Sequence, residues 1–104
     1  MSIEVLNVGA GNFVSASRVV AVTRADSSPV RRLIESAEKA GRLVDATSGR
    51  RTRSVIMTDS NHVVLSNLNP QTLGERMSGL AGEAALRSGA AMAASSENPH
   101  GAGA

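Results

Sequence analysis

Two helix starts of the same kind divide this chain and limit the folds that it can adopt. They are Ser28-Pro29 and Asn69-Pro70. Proline fits the first helical position, where no backbone N–H is needed, and the preceding Ser or Asn can cap the free N–H groups. Gly41 is suited to end the first helix in the left-handed conformation. Each helix also carries one apolar stripe, formed by Val30, Leu33, Ile34 and Ala37 in the first and by Leu73, Met77 and Leu80 in the second.

Short runs rich in β-branched residues fill most of the remaining chain, and turn-forming residues bound each run. Five strands are expected, over residues 3–8, 18–23, 42–46, 53–58 and 62–66. The last three follow one another closely enough to predict an antiparallel meander. The order β-β-α-β-β-β-α therefore predicts an α+β fold with a small, mostly antiparallel five-stranded sheet and two helices.

The residues after Leu80 differ in character from those before it. Small side chains dominate 81–104, and they bury too little area to offset the entropy of ordering the backbone. We divide the chain into a domain over 1–80 and a flexible Ala/Gly/Ser-rich tail over 81–104, with room for the second helix to extend to about Arg87. Because so small a domain has no cysteine for disulfides, oligomerisation is the usual remaining way to stabilise it.

The sequence also bears on where the protein resides. No apolar run approaches the about 20 residues of a membrane span, and the N-terminus lacks the basic-then-apolar order of a signal peptide. We expect a soluble, cytoplasmic protein that does not contact a membrane.

Positive charge is concentrated in one loop. Residues 42–53 hold four arginines against one aspartate, a net charge of +3, and three of the arginines (Arg50, Arg51 and Arg53) directly follow Ser48-Gly49. Guanidinium groups this close are costly to bury unpaired, so they must face water or a polyanion. The planar fork of arginine matches phosphate oxygens. The loop is therefore either a solvated turn or a cationic hairpin tip that contacts nucleic-acid backbone.

Phe13 is the sole aromatic residue. Proteins that bind single-stranded nucleic acid stack bases on aromatic rings, and this chain has no such platform. A nucleic-acid ligand is therefore expected to be duplex DNA held by its phosphates.

The glycines near the N-terminus raise the question of a nucleotide loop. Gly9 and Gly11 follow the first strand, but position 14 is Val where a dinucleotide-binding loop has its third glycine. No Gly-Lys-Ser/Thr sequence follows either. We predict a turn with positive φ angles and no bound cofactor.

Catalytic groups are also sparse. Asp59, Ser60 and His62 lie on one tight turn, where a nucleophile, base and orienting group cannot easily adopt triad geometry. His62 and His100 are the two histidines and lie in different regions, which disfavours a metal site. We expect no enzymatic activity, no metal and no small-molecule substrate.

Several of these stretches together resemble the RemA family of bacterial regulators of extracellular-matrix (biofilm) genes. The similarity runs without gaps from residue 3 to about residue 77, and the most specific part is the Asp-Ala-Thr-x-Gly-Arg-Arg-Thr-Arg string. The similar stretches are Asn7-Val8-Gly9-x-Gly11-Asn12, Ser15-Ala16-x-Arg18, Ser28-Pro29-Val30-Arg31-Arg32, the loop from Asp45 to Arg53, and the segment from Asp59 to Ser66.

The resemblance implies a small α+β subunit that assembles into a closed ring and binds duplex DNA as a transcriptional regulator. It implies DNA contacts by Arg18, Arg50 and Arg51, and a role in assembly for the region of Pro29. Phe13 departs from the aliphatic residue usual in the family, and the tail lies outside the resemblance.

The sequence adds further candidates to these sites. Arg53 either contacts DNA or braces the hairpin. Arg31 and Arg32 form either a solvated face or, with Pro29, a subunit contact.

The expected function is thus a homo-oligomeric regulator that binds DNA phosphates through repeated arginine loops and controls matrix genes at the nucleoid. Its partners would be duplex DNA and further copies of itself. The alternative is a structural ring or scaffold that binds an acidic protein through the same loop. An enzyme acting on a small anionic substrate is the third interpretation, and the sequence offers it no paired base and nucleophile.

Overall fold

The protein's structure, a computed structural model, describes residues 4–88. Within them six strands form two sheets, one of two strands and one of four, and two helices pack on the larger sheet. The predicted α+β class is confirmed, whereas the single five-stranded sheet is wrong. The elements are β1 (Val5–Gly9), β2 (Asn12–Ser15), β3 (Val19–Arg24), α1 (Ser28–Lys39), β4 (Leu43–Asp45), β5 (Ser54–Thr58), β6 (Val63–Ser66) and α2 (Pro70–Ser88).

The additional strand, β2, arises from the glycine turn. Gly9, Ala10 and Gly11 all have positive φ angles, of 95°, 53° and 80°. This turn folds β2 back against β1 as an antiparallel hairpin with Asn7 opposite Phe13. A short 3₁₀ turn, Ala16–Arg18, then leads into β3. The expected positive φ angles are confirmed, and no helix follows the glycines as a dinucleotide-binding loop would require.

The four-stranded sheet has the order β3-β5-β6-β4. β5 is antiparallel to both of its neighbours, but β4 pairs in parallel with β6. The predicted meander is therefore wrong, and residues 46–53 form a crossover rather than a hairpin tip. The cause is β6, in which Val63, Val64 and Leu65 are all buried. A strand buried on both faces belongs inside a sheet, so β4 and β5 occupy its two sides.

Each face of this sheet has its own core. On one face Ile56 and Val64 pack with Leu6 and Val8 of the hairpin and with Leu73 of α2. On the other face, side chains of β5 and β6 pack against α1. This second cluster comprises Val55, Val63, Leu65 and Ala37, flanked by Val30, Leu33, Ile34 and Leu43.

The helix ends largely follow the sequence signals. Asn69 caps α2 by accepting a hydrogen bond from the Thr72 N–H at 2.9 Å, and Gly41 adopts a φ of 73° after α1. The predicted cap of α1 is wrong by one position, because Ser27 accepts from the Val30 N–H at 3.3 Å. Proline tolerates this shift, since several of the first N–H groups of a helix lack intrahelical partners.

The second helix packs on the first core cluster through Leu73, Met77 and Leu80, which is the predicted stripe. α2 continues to Ser88, close to the predicted extension. The flexible tail expected beyond it lies outside the described residues.

Candidate nucleic-acid interface

Four strand ends meet at one edge of the larger sheet. β3, β4 and β6 end there, and β5 begins there. The crossover 46–53 lies at the same edge, and both helices begin beside it because they follow β3 and β6. We call this the arginine edge and define it by Arg24, Arg50, Arg51 and Arg53. The first N–H groups of a helix add partial positive charge to such a surface.

Asp45 fixes the start of the crossover. Its Oδ1 accepts hydrogen bonds from the Thr47 backbone N–H at 2.9 Å and from the Thr47 hydroxyl at 2.6 Å. These bonds, led by the one from the hydroxyl, lower the pKa of Asp45 below its ordinary value. Thr47 itself is buried, with 2% of its surface exposed. The loop therefore leaves the sheet in one defined direction.

A left-handed turn then brings the arginines to the surface. Ser48 and Gly49 have φ angles of 54° and 81°, and the Arg50 N–H donates to the Thr47 carbonyl at 3.1 Å. The guanidinium groups of Arg50, Arg51 and Arg53 follow this turn, and all three residues are exposed. No hydrogen bond or ion pair joins these groups to residues 4–80. Three cationic groups thus face solvent together.

Arg53 also has a structural role, which it performs through its backbone. Its N–H donates to the Ser66 carbonyl at 2.9 Å, and its carbonyl accepts from the Ala25 N–H at 3.2 Å. These bonds connect the start of β5 with the ends of β6 and β3. The Arg53 side chain remains free to contact a ligand, so its two expected roles are compatible.

An open recess of about 160 Å³ lies at the arginine edge. Three arginines line it against one carboxylate, so its walls carry a net charge of +2. The lining residues are Arg24, Ala25, Asp26, Arg51, Thr52, Arg53, Asn69 and Pro70.

Arg18 lies at the opposite edge of the sheet. Its Nε donates to Asp59 Oδ1 at 2.8 Å, and its carbonyl accepts from the Asp59 N–H at 2.9 Å. The six residues of β3 separate it from the arginine edge, which corresponds to about 20 Å of extended strand. The fold of one chain thus brings Arg50, Arg51 and Arg53 together but does not bring Arg18 to them.

The candidate assembly residues lie beside the arginine edge. Pro29, Arg31 and Arg32 are exposed at the start of α1. Arg31 is close enough to Asp26 to contribute to the lowering of that carboxyl's pKa. Arg31 is therefore continuous with the cationic surface.

The turn that carries Asp59, Ser60 and His62 contains one hydrogen-bonded pair. Ser60 Oγ lies 2.7 Å from His62 Nδ1, whereas the Asp59 carboxylate bonds to Arg18. Asp59 thus holds an arginine rather than orienting the histidine.

Among the described residues, no three His, Cys, Asp or Glu side chains are grouped to hold a metal ion. Over the same part of the chain, neither helix has a stretch long and apolar enough to cross a membrane.

Sequence reasoning missed two parts of this site. Arg24 was not singled out, because its position opposite Ser54 and next to Arg53 depends on the pairing of β3 with β5. The bonds between Asp45 and Thr47 were also missed. Here a local signal exists, since an Asp two residues before a Thr is typical of a turn closed by a side chain.

The fold and these unpaired arginines define a small α+β protein with one strongly cationic edge. Residues 5–77 match the family model described as "Extracellular matrix regulatory protein A-like", the RemA-like family. The chain therefore belongs to the RemA-like family, and the resemblance stated from the sequence is confirmed.

Similar proteins occur in several bacteria under the name "Putative regulatory protein". One from Nitratidesulfovibrio vulgaris is 62% identical over 73 residues, covering 70% of this chain and 83% of the relative. One from Halothermothrix orenii is 51% identical over 79 residues, covering 76% and 94%. One from Heliobacterium modesticaldum is 53% identical over 78 residues, covering 75% and 86%.

Proposed function

We propose that this protein is a transcriptional regulator that binds duplex DNA through the arginine edge. The observation that carries the proposal is the free state of Arg50, Arg51 and Arg53. Within residues 4–80, the side chains of Arg31 and Arg32 on α1 also donate no hydrogen bond, but these three follow one another in a single loop. Four other arginines each donate one to a carboxylate or a carbonyl. The four are Arg18, Arg24, Arg42 and Arg76.

Phosphate is the chemistry that best fits this surface. A guanidinium offers a planar set of five donors, and adjacent backbone phosphates present a matching row of anionic oxygens. The family description supports regulation of extracellular-matrix genes as the biological output. The protein would then act without catalysis, in the cytoplasm at the nucleoid.

Arg18 would contact a different phosphate from Arg50 and Arg51. About 20 Å along β3 corresponds to about six base pairs of duplex, at 3.4 Å per step. A duplex that crosses the sheet from one edge to the other can meet both groups. Asp59 would position Arg18, since it holds Nε and leaves both terminal amino groups free.

We further propose that the protein acts as a ring-like homo-oligomer. Three phosphate contacts per subunit give a weak and salt-sensitive affinity, whereas repetition of the edge on one duplex can raise affinity by about 10²–10⁴. An apolar recess of about 300 Å³ near Arg18 offers a surface for self-association. Val20 lies there with 69% of its surface exposed, beside Leu33 and Met57.

The alternative function is a scaffold that binds an acidic protein through the same edge. A salt series with labelled duplex DNA separates the two, because the proposed regulator binds at about 50 mM salt and the scaffold does not. Both interpretations place the ligand on the same arginines, so the ligand itself must be tested.

The roles of Arg50 and Arg51 are tested by replacing both with alanine. We expect the double variant to lose retention of labelled duplex DNA while its mass in light scattering stays unchanged. Lys39→Glu is the control, because it changes the net charge by the same −2 at an exposed position at the far end of α1. Dissociation of the Arg50/Arg51 variant into monomers would contradict the assignment, as would an equal loss of binding by the control.

A further inference from the structure

Arg24 belongs to the same surface as the three unpaired arginines. It ends β3 opposite Ser54, the first residue of β5, and it lines the recess that also contains Arg51 and Arg53. The Ala25 N–H donates to the Arg53 carbonyl at 3.2 Å, which fixes the two segments side by side. Arg24 is also highly exposed, with 76% of its side-chain surface accessible.

Arg24 differs from its neighbours because it carries its own counter-ion. Its Nη2 donates to Asp26 Oδ2 at 2.7 Å. The hydrogen bond from Arg24, with a smaller contribution from Arg31, keeps the pKa of Asp26 below its ordinary value, so this carboxylate is charged at neutral pH. Asp26 therefore places one negative charge among the cationic groups that line the recess.

We propose that Arg24 is a fourth phosphate-binding residue of the arginine edge and that Asp26 is an internal counter-ion which competes with DNA for it. The inference rests on the proposed DNA binding. An ion pair this exposed contributes little stability, so a phosphate displaces the carboxylate at small cost. The guanidinium also keeps donors that Asp26 does not use, and these can reach a phosphate oxygen.

The consequence is weaker DNA binding by each subunit than its arginines alone would give. Asp26 neutralises Arg24 in the free protein and repels any phosphate that approaches Arg51 or Arg53 across the recess. Both effects reduce the number of counter-ions that DNA releases on binding, and that number sets the salt dependence of the affinity. The affinity would therefore be lower at each salt concentration but would fall less steeply as salt rises.

The test compares the DNA affinity of the wild type with that of two variants, each changed at one exposed residue. Affinity for a labelled duplex is measured in a salt series from about 50 to 200 mM. Arg24→Ala is expected to weaken binding about five- to tenfold and to make the slope of log K against log salt shallower by up to about 0.9. Asp26→Asn is expected to tighten binding and to steepen the slope.

Glu38→Gln is the control for Asp26→Asn, because it adds the same charge near the far end of α1. If Arg24→Ala leaves affinity and slope unchanged while Arg50→Ala with Arg51→Ala abolishes binding, the inference is wrong and the proposed function stands. If Asp26→Asn acts no more strongly than Glu38→Gln, the counter-ion role is wrong. If the wild type does not bind duplex DNA, both the inference and the proposed function fall.

Discussion

Gly49 is the residue that most directly sets the path of the arginine loop. Its φ of 81° lies in the left-handed region, and no atom beyond the two adjoining residues lies within 4 Å of the place that a Cβ would occupy. Only backbone conformation, and not crowding, therefore demands glycine here. The arginines that follow owe their direction to this turn and to the hydrogen bonds of Asp45 before it.

We expect Gly49→Ala to lower the free energy of unfolding by about 1 kcal/mol, because an L-residue is strained at this φ. Urea unfolding measures the loss. Gly74→Ala in α2 is the matched control, since it meets no atom within 4 Å either, and a helical alanine should raise stability by about 0.5–1 kcal/mol. A neutral or stabilising effect at position 49 would show that the loop does not depend on this turn.

Asp45 should make the free energy of unfolding depend on pH in acidic solution. The hydrogen bonds from Thr47 lower the pKa of Asp45 in the folded protein. Its charge therefore stabilises the fold at pH values above the ordinary aspartate pKa of 3.8. That contribution is lost as the pH falls through the lowered pKa. We expect the difference in unfolding free energy between the wild type and Asp45→Asn to be constant from about pH 5 to 7 and to shrink in more acidic solution. A difference that grows on acidification would contradict this.

Among the elements, β6 organises the sheet, and Ser66 at its end joins it to the hairpin. The Ser66 hydroxyl is fully buried, donates to the Val8 carbonyl at 2.7 Å and accepts from the Leu68 N–H at 3.1 Å. These bonds hold β1 over the end of β6. The hydroxyl therefore satisfies one buried and one part-buried backbone group at once.

Ser66→Ala should reduce the free energy of unfolding by about 1–3 kcal/mol, because the buried Val8 carbonyl and the part-buried Leu68 N–H would lose this hydrogen-bond partner. Thermal or urea unfolding reports this change. Ser36→Ala serves as the control, since Ser36 is exposed on α1 and should change stability little. Equal effects of the two substitutions would show that the buried hydroxyl does not stabilise the hairpin.

Much of the element structure could be predicted because its signals are local. The caps and prolines fixed both helix starts to within one residue, and the glycines marked the first turn. Strand pairing could not be predicted in the same way, because it depends on contacts between distant segments. The buried run in β6 was the one available clue that β4 and β5 lie on either side of it.

The same distinction between local signals and distant contacts applies to the candidate site. Arg50, Arg51 and Arg53 are neighbours in sequence, so their clustering could be predicted. Arg24 joins them only through the pairing of β3 with β5, and Arg18 is separated from them only because β3 runs across the sheet. Residues whose proximity comes from strand register leave no pattern in the sequence.

At the scale of the whole molecule, self-association should depend on the apolar recess around Val20. We expect Val20→Glu to yield monomers in light scattering, because the new charge would have to lose its hydration to enter the contact. DNA affinity should then fall by about 10²–10⁴, since the repeated edges would no longer act together.

Val5→Glu is the control for this experiment, because Val5 is also exposed, at 50%, but lies on the hairpin. Monomers from Val5→Glu with an intact assembly from Val20→Glu would place the contact on the hairpin and contradict the proposed surface. The isolated Val20→Glu subunit should keep its fold, since Val20 is already largely exposed within the chain.

The most direct test of the central claim, that the arginine edge binds duplex DNA, is the salt dependence of binding. If each of the three free arginines contacts one phosphate, log K should fall with log salt at a slope of about −2.7 or steeper, because each contact contributes about −0.9. Arg51→Ala alone, which leaves the other free arginines to bind, should make that slope shallower by about 0.9 for each engaged subunit. A slope unchanged by this single substitution would contradict the claim.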